Sequence, residues 1–199
     1  MIVFWRFVSD LGDLSFSISG ERKSGLLAPT FSVNSKLGAD LTVPYYLNIA
    51  PNRDLTLYPR LVGRRGAQIG ADLRLLGKSH RSEFGVQILP GDKIAKEDRW
   101  LGKLNSTYHF SPRKLVSINL TRVSDNDYFA DFGASVLAAS QRILPTTLQF
   151  SGERRGWKYT GAYQGYQVLQ DPGAPILPPY EWSPKFVFFN DDALSLKKK

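Results

Sequence analysis

Apolar and polar residues alternate along most of this chain, and the clearest example lies between Val43 and Gly66. In its first arm Ala39, Leu41, Val43, Tyr45, Leu47 and Ile49 occupy odd positions, while Asp40, Thr42, Tyr46 and Asn48 occupy even ones. Ala50-Pro51-Asn52-Arg53 is a turn, because Pro presets φ at the first corner and Asn tolerates the next. Beyond it Leu55, Leu57, Pro59 and Leu61 share one face, and Thr56, Tyr58 and Arg60 the other. Side chains alternate faces along a strand, so this is a hairpin with one apolar side. Each arm runs about ten residues, long for a soluble strand and enough to cross a bilayer at a tilt.

The same period recurs. Leu27, Pro29, Phe31 and Val33 predict a strand before the hairpin, and Ala67 to Leu75 predict the cleanest strand after it. Phe84 to Ile88, Leu104 to Phe110, Val116 to Leu120 and Leu148 to Phe150 follow. Leu14, Phe16 and Ile18 form a short early strand. Alternation blurs from Trp157 to Val168, where Tyr159, Tyr163 and Tyr166 break parity, and Lys185 to Asn190 starts another strand. Pro90 to Arg99 reads as a charged loop, and Ser124 to Gly133 as a solvated acidic loop with room for one helical turn. The pattern predicts an all-β chain of roughly eight to ten antiparallel strands. A sandwich, a soluble barrel or a membrane barrel would each hide the apolar face. Asp40, Arg60, Asp72, Arg74, Glu83 and Lys103 opposite that face favour the membrane barrel, polar inside and apolar outside.

Composition narrows this further. The net charge of +8 calls for an anionic partner, whether lipid, membrane surface or nucleic acid. With no Cys, disulfide and thiolate chemistry are excluded. No apolar run approaches a membrane helix, and Met1 to Asp10 is too short for a signal peptide. His80 and His109 lack partners at ligand spacing, no nucleophile–base arrangement is legible, and Gly20 to Gly25 lacks phosphate-loop spacing; neither an enzyme nor a cofactor is expected. Asp125, Asp127 and Asp131 lack the glycine and terminal glutamate of a calcium loop. Tyr45, Tyr108, Trp157 and Tyr159 are candidates for interfacial aromatic girdles, or for ordinary strand packing.

Several runs resemble the LptD family of lipopolysaccharide-assembly outer-membrane proteins. They are Arg22-Lys23-Ser24-Gly25-Leu26-Leu27, Pro44-Tyr45-Tyr46, Asn48-Ile49-Ala50-Pro51-Asn52, Asp54-Leu55-Thr56, Pro59-Arg60 and Arg64-Arg65-Gly66. Val123-Ser124-Asp125, Tyr128-Phe129, Asp131-Phe132, Leu169-Gln170-Asp171-Pro172 and Pro179-Tyr180 extend the resemblance. It implies a partial transmembrane β-barrel, the first strands of a larger one, in the cell outer membrane. Residues 1–24 would be a jelly-roll remnant with a non-family start, 25–190 the barrel part, and 191–199 a basic tail outside the family. The implied substrate is lipopolysaccharide, and the implied partners are the LPS transport E lipoprotein plug and a periplasmic LPS transport bridge, with no nucleic acid. Pro29 and Pro44, fifteen residues apart, match the prolines of a lateral gate through which lipid leaves. A plain edge-strand role is the alternative for Pro29.

Asp40, Thr42, Asn48, Arg60, Asp72, Arg74 and Lys103 would line the lumen, with Arg60, Arg74 and Lys103 available to lipid phosphates. Family members are much longer, so the resemblance also implies a reading frame cut from a larger gene and a chain that aggregates when expressed alone. A soluble β-sandwich binding an anionic partner and a porin-like barrel are the rival readings.

Overall fold

The computed structural model describes residues 22–133 and 136–190. Among them are twelve strands in one antiparallel sheet and two short helices. The strands are β1 (Gly25–Leu26), β2 (Thr30–Asn34), β3 (Gly38–Thr42), β4 (Tyr45–Ala50), β5 (Arg53–Val62) and β6 (Gly66–Leu76). They continue with β7 (His80–Leu89), β8 (Arg99–Ser111), β9 (Lys114–Val123), β10 (Ile143–Arg154), β11 (Trp157–Val168) and β12 (Trp182–Asn190). Helices α1 (Tyr128–Phe132) and α2 (Val136–Ala139) lie between β9 and β10. The predicted strand at Leu14 to Ile18, the jelly-roll remnant and the basic tail fall wholly or mostly outside the described residues.

Each strand from β4 to β12 pairs with the next, and the sheet does not close on itself. β1 and β2 are one arm broken in the middle, and β3 and β4 are another, because β5 pairs with both β3 and β4. Twelve segments therefore build ten arms of an open, partial barrel. The sandwich alternative fails here, since it needs a second sheet over the apolar face and all strands share one sheet. That face is left open: Phe31, Leu61, Ile69, Val86, Ile88 and Phe110 are all exposed.

Three differences from the sequence pattern have local causes. The loop after Pro90 is shorter than expected, because β8 already begins at Arg99. Trp157 to Val168 is a full strand despite its blurred alternation. Its tyrosines serve both faces: Tyr163 stands opposite Leu148 on the apolar face, whereas Tyr166 stands opposite Pro145 on the other. The acidic segment after Val123 is not a solvated loop, since Tyr128, Phe129 and Phe132 of α1 are buried.

The two ends of the sheet differ. One has only tight turns, at 51–52, 77–79, 112–113 and 155–156, and the other carries the long connections 90–98, 124–142 and 169–181. The core sits at the long-loop end, where α1 lies on the polar face of the sheet. There Leu37, Val62, Leu89, Leu101, Val123, Leu144 and Leu169 bury around Tyr128, Phe129 and Phe132.

Candidate functional site

Two features of the sheet stand out: the proline breaks in its first arms, and the polar face that ends under α1. In the first arm three residues, Leu27 to Pro29, span the interval that Val43 and Pro44 span in the second, since Leu26 pairs with Tyr45 and Thr30 with Thr42. The extra residue is a bulge that interrupts the ladder. On the other side of the second arm the register with β5 continues through the break without a slip, Thr42 pairing with Arg60 and Tyr45 with Leu57.

Backbone bonds show where the missing donors point. The Leu27 N–H donates to the Pro44 carbonyl at 2.9 Å, and the Val43 N–H donates to the Pro59 carbonyl at 3.1 Å. In an antiparallel ladder a residue's N–H and C=O face the same neighbour. Pro44 therefore lacks a donor toward the first arm, and Pro59 lacks one toward the second. Pro59, fifteen residues beyond Pro44, was missed from sequence as part of this set, although the shared spacing was a visible signal. The prolines lie at one level across three adjacent arms.

The polar face is a ladder of ion pairs rather than a row of free charges. Arg60 donates to both carboxylate oxygens of Asp40, at 2.8 and 2.6 Å, and to Gln68 at 3.1 Å. Arg74 grips both oxygens of Asp54, at 2.7 and 3.0 Å. Thr42 stands opposite Arg60 on this face. Asn48 donates to the Arg22 carbonyl at 2.6 Å, holding the segment before β1 against β4. Asp72 and Lys103 both flank Gly85 on β7 and are exposed. Arg60 and Arg74 are thus neutralised within the sheet, and of the three cations expected to meet lipid phosphate only Lys103 has no acidic partner among the described residues.

At the long-loop end the polar face is sealed by a buried ionic cluster. Arg99, 1% exposed, donates to Asp125 through two nitrogens at 2.6 and 2.9 Å, and to Asp131 at 2.7 Å. Arg65 donates to Asp92 at 2.8 Å and to Asp131 at 2.9 Å. Asp92 also accepts the amides of Ile94 and Ala95. The Phe132 ring lies beneath the guanidiniums of Arg99, Arg65 and Arg60, at 4.9, 5.3 and 5.8 Å. Tyr128 donates to Gln87 at 3.0 Å and accepts from Gln68 at 3.3 Å, tying α1 to β6 and β7. Lys36, in the turn after β2, donates to the Ala130 carbonyl at 3.1 Å. Asp125 is therefore a counter-charge to Arg99 on β8, and Asp131 to Arg99 and to Arg65 in the turn before β6.

Burial opposes ionisation of Asp92, but hydrogen bonds from Arg65 and two backbone amides outweigh it and hold the carboxyl below its ordinary value of 3.8. Asp125 is lowered likewise, burial being overcome by the bonds from Arg99 and Ser124. Burial pushes the Tyr128 phenol up to about 12. A depressed carboxylate value stabilises the fold above the unfolded pKa and loses that contribution as pH falls through the folded one. The sealed end is therefore expected to hold unchanged from neutral pH down to about pH 4 and to come apart below it. Near-ultraviolet circular dichroism of the buried Tyr128 environment during acid titration checks this.

The family model described as LPS transport system D matches residues 97–193. The chain is 39% identical over 178 residues to the LPS-assembly protein LptD of Polaromonas sp. and 40% identical over 174 residues to that of Bordetella avium. It is 40% identical over 175 residues to the same protein of Azoarcus sp.. Each match covers 86% of this chain but only 22%, 22% and 21% of the relative, so the chain spans about a fifth of the curated relatives it matches.

Proposed function

This chain belongs to the LptD family as one segment of it, and from that premise we propose that it supplies the first strands of an outer-membrane barrel that assembles lipopolysaccharide into the outer leaflet. The apolar face meets lipid, and the polar face lines the lumen. In outer-membrane barrels short turns lie in the periplasm and long loops outside. The sealed end is then extracellular, and Arg22, at the tight-turn end, lies on the periplasmic side. Asp40, Thr42, Asn48, Arg60, Asp72, Arg74 and Lys103 face the lumen. Tyr108 and Trp157, both exposed near the tight turns, stand where a periplasmic aromatic girdle belongs. The lipoprotein plug and the periplasmic bridge bind the whole barrel, of which this segment is one part.

The observation that carries this reading is the broken first arm. Pro29 and Pro44 leave the ladder slipped and short of a donor where β1 and β2 meet β3 and β4. In hydrocarbon an unsatisfied backbone group costs several kcal/mol, so a weakened arm there belongs to a wall that opens. The sealed end keeps the remaining arms in register while the first one moves.

The test is export in a full-length family member carrying this segment. With Pro29→Val and Pro44→Val together, lipopolysaccharide appearance at the cell surface is expected to slow by about tenfold, one restored ladder bond contributing roughly 1 kcal/mol. Export at the unmodified rate would contradict the gate.

A further inference from the structure

The apolar face is not uniform. Across β6 to β9 it carries a shallow groove lined by Leu73, Phe84, Val86, Trp100, Leu104 and Leu120. Gly102 forms its floor, paired with Val86 on one side and Arg122 on the other. A side chain at Gly102 would project into this groove, and a Cβ there meets only the Trp100 ring, at 3.8 Å. The glycine thus keeps the groove open and relieves no backbone crowding.

Arg122 stands at the mouth of the groove, one residue before β9 ends at the long-loop end. Its parity is that of Val116, Ile118 and Leu120, so it projects from the apolar face. It donates to the Thr121 carbonyl at 3.3 Å, and no carboxylate among the described residues pairs with it. A guanidinium at an apolar rim with no counter-charge is costly unless an anion comes to it.

The geometry points to a binding site for one phosphorylated lipid on this outer wall, its phosphate on Arg122 and one acyl chain lying along the groove over Gly102. Charge and shape choose the occupant. The planar fork of arginine matches phosphate oxygens two at a time. The groove below it is almost wholly apolar, as a chain requires, and Trp100 sits at the level where aromatic rings meet headgroups. The site lies several strands away from the proline-broken arms. It rests on the proposed function only for the leaflet it faces, so its binding test stands or falls separately from export.

The experiment is native mass spectrometry of a full-length family member carrying this segment, released from maltoside micelles. The probes are phosphatidic acid and the diacylglycerol with the same chains, and circular dichroism verifies the β content of every variant. The protein is expected to retain phosphatidic acid about tenfold better than diacylglycerol, the gain of one charge-assisted contact. Arg122→Gln is expected to abolish that preference, and Arg122→Lys to keep part of it. Gly102→Leu, which fills the groove, is expected to lower retention of both lipids, whereas Lys78→Gln, in the exposed 77–79 turn at the other end of the sheet, is expected to change nothing. Equal retention of the two lipids by the unmodified protein, or a preference that survives Arg122→Gln, would overturn the site. So would failure of the unmodified protein with verified β content to retain either lipid.

Discussion

Arg99→Met is expected to destabilise the long-loop end by about 3–5 kcal/mol, the cost of removing one partner from a buried ionic set. The methionine fills most of the arginine stem's volume, so packing loss is small and the effect reports charge. Without Arg99, Asp125 loses both of its guanidinium bonds, and Asp131 keeps only Arg65. Arg65 bonds Asp92 and Asp131 and makes no bond to Asp125. The loop from Ser124 to Arg142 should then release α1, and limited proteolysis should cut it while β5 to β9 stay protected. Replacing Asp125 and Arg99 together with apolar residues should recover part of the loss, since removing both members of a buried pair costs less than stranding one. Unaltered protection of the loop in Arg99→Met would mean that packing alone holds the seal.

Phe132→Ala is expected to cost about as much, roughly 3–5 kcal/mol, through the cavity left by a buried ring. Its ring also presents a negative face to three guanidiniums, and each exposed or part-buried contact of this kind adds about 0.5–2 kcal/mol. Phe132→Leu keeps most of the volume and loses the π-face. The difference between the leucine and alanine variants therefore separates packing from the cation contribution. Thermal unfolding of the three proteins in the same detergent measures both, and equal melting of the leucine variant and the unmodified chain would remove the cation contribution from the account.

The strands were legible in the sequence because each alternates against its own neighbours. Residues 67 to 75 could be placed on two faces with no knowledge of the rest of the chain. Other parts depend on residues far away. The aspartates after Val123 looked like a solvated loop, because their partners, Arg65 and Arg99, lie in the turn before β6 and on β8, respectively. The apolar set Tyr128, Phe129 and Phe132 within that acidic run was the available signal for a buried turn. Arg60 and Arg74 looked free for lipid, because strand alternation gives a face but not the cross-strand neighbour on it. Register supplies Asp40 and Asp54.

The proline pattern was only half visible. Pro29 and Pro44 could be picked out, but the ladder bond each one lacks depends on which neighbour its carbonyl faces. Pro59 joins the set only once Val43 is seen donating to it. Trp100 and Arg122 share the parity of the runs at Leu104 to Phe110 and Val116 to Leu120, but the groove they border depends on the register of β7, β8 and β9, which the sequence does not show.

The central claim, that the first arm is held weakly to the second because of Pro29 in one and Pro44 in the other, is tested most directly by amide hydrogen exchange. The protein is a full-length family member carrying this segment, with and without Pro29→Val and Pro44→Val. The amides of Leu27, Thr30 and Ser32, which face the second arm, are expected to exchange well ahead of those in β6 and β7, and to slow by about tenfold in the double variant, as local opening becomes costlier. Exchange at those amides that is already as slow as in β6, or that the two replacements leave unchanged, would contradict the account.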